Sequence, residues 1–344
     1  MTETTLFNQE FRLKDKLASE IILFWQQGLF ASFHGVNAVE IHYAQFIHGK
    51  LPNEKVALTK THCPTIVVVP GRGETYLKYQ ELIFDLYHQG YNIFIIDHRG
   101  QGLSERLLPN INKGYVVNFQ DYVDDLKHLI EHIVMKGSPI PPYLLAHSMG
   151  GTIALRYMQD SPHAIKAAVI SSPMLGFYTS VIPPLIAKKI VTVKLALNKL
   201  ISNNPWYFLG QKDYCPTCFS KNKLTHSSKR YQVFIDLCKH NKAIQLGGVT
   251  THWIMQGVIA QQNIFDKLTK LKTPILLLQA GSDSIVCQQS QNNFCRKLHA
   301  LQPQSCPKGE PVSIKGAFHE LFFEIDAYRN RAITQSMAWF KAHN

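Results

Sequence analysis

A serine in a tight turn of small residues is the first feature of this sequence that can do chemistry. Ser148 stands in Ala146-His147-Ser148-Met149-Gly150, between an apolar run and a helical pattern that begins with glycines. On a sharp strand-to-helix turn, a serine hydroxyl is exposed to substrate and can attack an acyl carbonyl. Glycine is usual where Ala146 stands, but alanine is small enough for the turn. The alternative is a serine that only caps a helix.

A nucleophilic serine needs a base and an acid, and candidates for both follow later strand patterns. His319 comes after the last short apolar run, and Asp283 comes after the run at 275–278. The order Ser, Asp, His is typical of one class of serine hydrolases. We predict that His319 accepts the serine proton and that Asp283 orients the imidazole, with an Asx turn as the alternative for Asp283. His147 is interpreted as a structural residue that points away from the site, and His98 as a residue that fixes its own loop.

Acyl transfer also requires hydrogen-bond donors for the oxyanion that forms on the substrate. We predict the backbone N–H groups of Met149, directly after the nucleophile, and of Arg72, in the loop 70–74 after a buried strand. This loop is not a dinucleotide fingerprint, because Tyr76 stands where the third glycine would be. The Arg72 side chain can meet a phosphate headgroup, but a surface salt bridge is the simpler interpretation.

Six short apolar runs, each ending at turn residues, predict strands that are buried on both faces. They lie at 66–69, 93–96, 143–145, 167–170, 275–278 and 312–314, and helical patterns lie at 78–88, 119–135, 151–159, 291–299 and 327–340. This alternation predicts the α/β-hydrolase fold, with a mostly parallel central sheet and helices on both faces. Residues 39–46 partly alternate between apolar and polar, which predicts an antiparallel edge strand.

The alternation stops after residue 173 and resumes near residue 274. We therefore predict a core in two parts, 1–173 and 266–344, with a helical cap or lid inserted at 174–265. Within the cap, 181–201 has apolar residues at helical spacing with lysines beside and opposite them. The apolar residues are Ile182, Ile186, Ile190, Val193, Leu197 and Leu200. Such a helix can lie in a membrane interface or pack on the protein body, and the two are compatible.

The composition narrows the possible partners of the 344-residue chain. Its formal charge is +12, from 36 basic and 24 acidic side chains, which favours an anionic membrane surface. No zinc-finger spacing or RNA-binding signature is present, so a nucleic-acid partner is not expected. The first residues show no secretory signal, and the longest apolar runs are too short to span a bilayer. We expect a soluble or peripheral protein.

Cysteine usage points to a reducing compartment. The chain has seven cysteines, an odd number, scattered along its length. Cys215 and Cys218 form a CxxC pair without a second pair nearby, so two ordinary thiols are favoured over a zinc or redox site. We predict neither a metal nor a cofactor.

Seven segments carry a resemblance to a known family. They are PGRGETYLKY at 70–79, IIDHRGQGLS at 95–104, FQDYVDDL at 119–126, LLAHSMGG at 144–151, LTHSSKRY at 224–231, GGVTTHW at 247–253 and IKGAFHELFFE at 314–324. In these segments the chain resembles the bacterial inner-membrane lysophospholipases, which are related to monoacylglycerol lipases. The resemblance implies that Ser148, Asp283 and His319 form the triad and that 1-acyl or 2-acyl lysophospholipids are the substrates. It also implies a peripheral location on the cytoplasmic face of the inner membrane.

Other functions remain open at this stage. A monoacylglycerol lipase or a general carboxylesterase would use the same triad with a different headgroup pocket. The acyl group can also pass to a second lipid instead of water. A different class of function is a catalytically silent scaffold that binds membranes, which the complete triad argues against. The oligomeric state is not indicated, and a glutamate can replace the aspartate elsewhere in this fold.

Overall fold

The computed structural model describes residues 7–49, 63–138, 140–177 and 184–344. These residues form an eight-stranded sheet. Its strands are β1 (Leu29–His34), β2 (Glu40–Phe46), β3 (Thr65–Val69), β4 (Asn92–Ile96), β5 (Tyr143–His147), β6 (Ala168–Ser171), β7 (Ile275–Ala280) and β8 (Val312–Ile314). The six predicted parallel strands correspond to β3 to β8.

The strands are ordered β1-β2-β4-β3-β5-β6-β7-β8 across the sheet. β3 to β8 are parallel to their neighbours, and β2 is antiparallel to both β1 and β4. The predicted mostly parallel sheet is therefore confirmed. The prediction that residues 39–46 form the edge was wrong, because β1 lies outside β2. The sequence of β1 gave no clear alternation, since its side chains are only partly covered.

Helices cover both faces of the sheet. They are α1 (Leu13–Lys16), α2 (Ile22–Trp25), α3 (Gln80–His88), α4 (Phe119–His128), α5 (Met135–Gly137), α6 (Met149–Asp160), α7 (Pro184–Ile201), α8 (Ser228–His240), α9 (Thr251–Asp266), α10 (Gln288–Leu301) and α11 (Asp326–Ala342). Single stretches of wider π-helix, Leu17–Ile21 and Leu129–Val134, join α1 to α2 and α4 to α5.

The central strands supply both hydrophobic cores because their side chains alternate between faces. Ile66 and Val68 of β3 pack in the core under α2, α3 and α11. Val67 and Val69 pack in the core under α4, α6, α9 and α10. This double burial explains why the strands appear in the sequence as uninterrupted apolar runs. It also brings the carboxyl ends of the parallel strands to one rigid edge, where the site residues lie.

The predicted cap region contains α7, α8 and α9, and its boundaries at 174 and 265 remain a prediction. Helix α7 turns Val191 and Asn198 inward. The predicted apolar face points outward instead, with Ile190, Val193 and Leu197 exposed and Leu200 at 83% exposure. Ile182 lies outside the described residues, as does the side chain of Ile186. No helix of the described residues has the length and apolar character needed to cross a membrane.

Candidate active site

The turn between β5 and α6 holds Ser148 in a strained conformation. Its backbone has φ 52° and ψ −117°, a region that side chains other than glycine rarely adopt. The turn is close-packed against β3: a Cβ atom on Gly150 would lie 2.2 Å from the Val69 carbonyl oxygen and 2.4 Å from that of Pro70. Glycine at position 150 is therefore required for the turn, which aims the serine hydroxyl at the edge of the sheet.

The three predicted triad side chains lie in one hydrogen-bonded row. His319 Nε2 lies 2.9 Å from Ser148 Oγ, and His319 Nδ1 lies 2.7 Å from Asp283 Oδ2. All three residues are buried. In this arrangement the serine hydroxyl donates to Nε2 and the Nδ1–H donates to the carboxylate, which are the bonds a serine–histidine–aspartate mechanism requires.

Asp283 is held as a carboxylate by its donors. Its Oδ1 accepts the backbone N–H groups of Ile285 at 2.8 Å and Val286 at 3.2 Å. Burial alone would raise the pKa of Asp283, but the bond from His319 and these two amides outweigh it and lower the pKa below its usual value. The acid therefore stays ionised and keeps the imidazole oriented.

The loop after β3 is fixed on both sides of Arg72. The Gly71 N–H donates to Glu74 Oε2 at 2.5 Å, and the Gly73 N–H donates to Gln101 Oε1 at 3.1 Å. The Gln101 amide also donates to the Gly71 carbonyl at 2.8 Å. In the described part of the chain, the Arg72 and Met149 amides have no acceptor. Both N–H groups predicted for the oxyanion are thus available.

Two histidines that take no part in the row form part of its surroundings. His98 donates from Nε2 to the Pro70 carbonyl at 3.1 Å, which fixes the start of the same loop. His147 does not simply point away from the site, because its ring lies 4.9 Å from that of His319. Burial lowers the pKa of His98 to about 4 and that of His147 to about 3. Both rings are therefore neutral at physiological pH.

This burial predicts acid sensitivity of the fold. In the unfolded chain both histidines bind protons near pH 6.5. In the folded protein they do so only near pH 4 and pH 3. The unfolded chain therefore binds more protons between these values, and acid favours it. Below pH 6.5 we expect the free energy of unfolding to fall by up to about 1.4 kcal/mol per pH unit for each histidine. Urea unfolding at several pH values measures this.

The matched control replaces a different histidine. A His98→Asn/His147→Asn variant should show a shallower pH slope than the wild type, whereas exposed His240→Asn should keep the wild-type slope. Burial raises the pKa of Asp97 to about 7, which has the opposite sign, so only the difference between slopes is diagnostic. Equal slopes in the double variant and the wild type would contradict the prediction.

A buried ion cluster that sequence analysis missed lies beside the site. Lys78 Nζ is 2.8 Å from Glu74 Oε1 and 2.6 Å from Glu320 Oε1. Burial alone would raise the pKa of Glu74, but Lys78 and the other donors lower it to about 2. Lys78 thus bridges the oxyanion loop and the residue after His319. The only signal in the sequence was the four-residue spacing from Glu74 to Lys78, typical of helix pairs.

Removing this cation should be costly to the fold. Lys78→Met leaves two carboxylates buried without their cation, and we expect a loss of about 3–5 kcal/mol in the free energy of unfolding. Urea unfolding at pH 7 measures it. Lys16 and Glu20 provide a control with the same residue types and spacing on the surface. Lys16→Met should cost less than about 1 kcal/mol, and equal losses in the two variants would disprove the role assigned to Lys78.

The segment 224–231 fixes the histidine loop from the cap side. His226 Nδ1 lies 2.7 Å from Glu324 Oε1, and the same oxygen accepts the N–H of Phe318 at 2.7 Å. The rings of His226 and Phe318 stack with centroids 3.7 Å apart. The residue before His319 is therefore clamped by the cap, which explains a function for a segment that the sequence marked only by resemblance.

Other predicted features turn out as follows. The simpler interpretation of the Arg72 side chain was wrong: among the described residues no carboxylate forms an ion pair with it, and it is largely buried. Cys215 and Cys218 are exposed free thiols. The described residues contain no group of histidine, cysteine and acidic side chains arranged to hold a metal.

A mostly parallel eight-stranded sheet with a strained serine turn, and a histidine and an acid following its later strands, defines the α/β-hydrolase class. Residues 60–326 match the serine aminopeptidase S33 family, and the chain belongs to it. The chain is 34% identical over 321 residues to lysophospholipase L2 of Escherichia coli K12, covering 93% of this chain and 90% of the relative. It is 32% identical to the probable lysophospholipase L2 of Haemophilus influenzae, covering 92% and 93%. These relatives and the family identify a carboxylic ester hydrolase.

More distant relatives agree with the fold. The monoglyceride lipase of Rattus norvegicus is 26% identical, covering 80% of this chain and 81% of the relative. The crystal structure of a soluble variant of Saccharomyces cerevisiae monoglyceride lipase superimposes with a TM-score of 0.66 at 20% identity, covering 92% and 94%. The Paleococcus ferrophilus monoacylglycerol lipase gives 0.64 at 19% identity, covering 88% and 99%.

Proposed function

We propose that the protein hydrolyses the acyl ester of lysophospholipids, with Ser148 as nucleophile, His319 as general base and Asp283 as the orienting acid. His319 takes the serine proton while Oγ bonds to the ester carbonyl carbon. The N–H groups of Arg72 and Met149 stabilise the oxyanion of the tetrahedral intermediate. The intermediate then expels the glycerophospho-alcohol, which takes its proton from His319, and the acyl group stays on Ser148.

The second half of the cycle uses the same groups. A water molecule gives a proton to His319 as its oxygen attacks the acyl carbonyl. The new tetrahedral intermediate breaks the bond to Ser148 Oγ, which regains the proton, and the fatty acid leaves. Asp283 stabilises the imidazolium in both halves without being protonated.

The observation that carries this proposal is the row Ser148–His319–Asp283, next to two free backbone N–H donors. A metal-free acyl transfer needs these groups and no others. The choice of lysophospholipids over other esters is supported by the relatives at 34% and 32% identity, which are named lysophospholipases.

The test compares fatty-acid release from lysophosphatidylethanolamine, a monoacylglycerol with the same acyl chain and a short p-nitrophenyl ester. We expect the highest kcat/KM for the lysophospholipid. A clear preference for monoacylglycerol would replace the proposal by the lipase alternative, and a preference for the short ester would replace it by a general carboxylesterase. Mass spectrometry of the lipid products separates hydrolysis from transfer of the acyl group to a second lipid.

We also propose that α7 docks the protein on an anionic membrane surface. Its outward face carries Ile190, Val193, Leu197 and Leu200 in one stripe, at the spacing of a single helix face. Lys189 and Lys199 are exposed on the same helix. With the net charge of +12, these lysines complement anionic headgroups while the apolar stripe enters the interface.

Vesicle sedimentation tests this docking. We expect binding to vesicles of phosphatidylglycerol and phosphatidylcholine, and weaker binding to phosphatidylcholine alone. A Val193→Ser/Leu197→Ser/Leu200→Ser variant should lose binding, whereas Ile140→Ser, at an exposed apolar residue outside α7, should not. If the triple variant sediments like the wild type, α7 is not the docking helix.

The location that fits these proposals is the cytoplasmic side of the inner membrane, held peripherally. All seven cysteines are free thiols, as a reducing compartment allows. Fractionation of cells tests the location: we expect the protein in the membrane fraction at low salt and its release at high salt, because the lysine contribution is screened.

A further inference from the structure

The side chain of Arg72 is a buried cation without a carboxylate. Lys78, Arg99, Arg230 and Arg329 are also buried, and each forms an ion pair with an acidic side chain. Among the described residues, Arg72 has no such pair. Its guanidinium donates instead to the Gly247 carbonyl and lies 5.6 Å from the centre of the Trp253 ring. A buried charge that lacks a counterion is costly, so an anionic ligand is the natural partner.

The surroundings of Arg72 retain unused hydrogen-bonding groups. Its Nε is buried without a partner, and so is the hydroxyl of Thr251 in the first turn of α9. Arg72 contacts residues on both sides of Thr251, at Gly247 and Trp253. The positive end of the α9 dipole lies at this turn. Burial without a counterion lowers the pKa of Arg72 to about 10, so the guanidinium is still charged at neutral pH.

The position of Arg72 suits a substrate that carries both an ester and a phosphate. Its backbone N–H is one of the two donors available for the oxyanion. The guanidinium carbon is five bonds from the Cα atom, on the order of 6 Å away. In a lysophospholipid, the phosphorus is five or six bonds from the ester carbonyl carbon, a similar length. One residue can therefore reach both groups.

We propose that the Arg72 side chain binds the phosphate of the substrate headgroup and thereby selects lysophospholipids over uncharged monoacylglycerols. This inference rests on the proposed function and adds the residue that reads the headgroup. The planar guanidinium suits two phosphate oxygens at once, which a lysine cannot match.

The test measures a selectivity ratio. The kcat/KM for lysophosphatidylethanolamine is divided by that for a monoacylglycerol with the same acyl chain, both in neutral detergent micelles. We expect Arg72→Met to lower this ratio about 10- to 100-fold, the usual effect of losing a hydrogen bond to a charged group. Arg72→Lys should fall in between. The ratio does not depend on how much of a variant is folded, because both substrates report on the same active molecules.

Arg106 provides the matched control. It is a second arginine that donates to a carbonyl of the cap region, at Ala243, and it has no ion pair among the described residues. Arg106→Met removes the same charge and a comparable tether, and we expect it to leave the ratio unchanged. If Arg72→Met and Arg106→Met lowered the ratio equally, net charge would explain the effect and the proposal would be overturned.

Two further outcomes separate the proposals. An enzyme that cleaves monoacylglycerol but not lysophosphatidylethanolamine contradicts the proposed function itself. An enzyme that cleaves both, with the same ratio in Arg72→Met and wild type, contradicts only the role of Arg72, which then serves as a tether to Gly247. Glycerol 3-phosphate should inhibit the wild type more strongly than Arg72→Met. Equal inhibition of the wild type by inorganic phosphate would assign the site to the free anion instead of the headgroup.

Discussion

A Ser148→Ala variant is expected to hydrolyse esters on the order of 10⁶-fold more slowly than the wild type. The variant keeps the oxyanion donors and the substrate site but has no Oγ to attack the carbonyl, so only their residual acceleration over water remains. Steady-state release of fatty acid measures kcat. A fluorophosphonate probe, which reacts with activated serines, should label the wild type once and leave this variant unlabelled.

Ser172 offers a close control for this change. Like Ser148 it is buried and has a positive φ, in its case 45°. Its hydroxyl has no hydrogen-bond partner among the described residues. Ser172→Ala should therefore keep both activity and labelling. Labelling of Ser148→Ala at the wild-type rate would show that the probe reacts elsewhere and that Ser148 is not the nucleophile.

An Asp283→Asn variant is expected to lose about 10⁴-fold in kcat while keeping its fold. Asparagine still offers an oxygen to the amides of Ile285 and Val286. Its NH₂ group replaces the carboxylate oxygen that faces His319 Nδ1, so the ring must present a lone pair there. The proton then sits on Nε2, and the base facing Ser148 is lost. Steady-state kinetics and circular dichroism measure the two effects.

Glu320 supplies the comparison, since a glutamate fills the acid role in some enzymes of this fold. It is buried directly after His319, but its carboxylate is bound to Lys78. Glu320→Gln should therefore reduce kcat less than Asp283→Asn does. The reverse order would mean that the acid is Glu320 and that Asp283 has a structural role.

The sequence was most informative where residue type and local spacing decide the structure. Strands β3 to β8 are buried on both faces, so their apolar runs could be recognised without knowledge of the fold. Ser148, Asp283 and His319 each follow such a strand, and parallel strands end at a common edge. Their positions near one another were therefore predictable, whereas the distances between their side chains were not.

The rest depends on partners that are distant in the chain. Helical spacing located the apolar stripe of α7, but periodicity does not tell which face packs, and Val191 and Asn198 pack instead. Likewise, Lys78 has one partner four residues away and another in the loop after β8. Only the folded topology brings Glu320 to it. Strand β1 was missed because its side chains are too exposed to give an alternating pattern.

The bridge made by Lys78 joins two segments that would otherwise be independent loops. The oxyanion loop and the loop that carries His319 cannot separate without exposing a buried ion pair. Local opening motions of the two loops should therefore be coupled. The amides of Gly71 and Glu320, which donate to Glu74 and to the Leu224 carbonyl, report on the two loops in hydrogen exchange. We expect them to exchange with the same opening free energy, so that the catalytic machinery opens as a single cooperative unit.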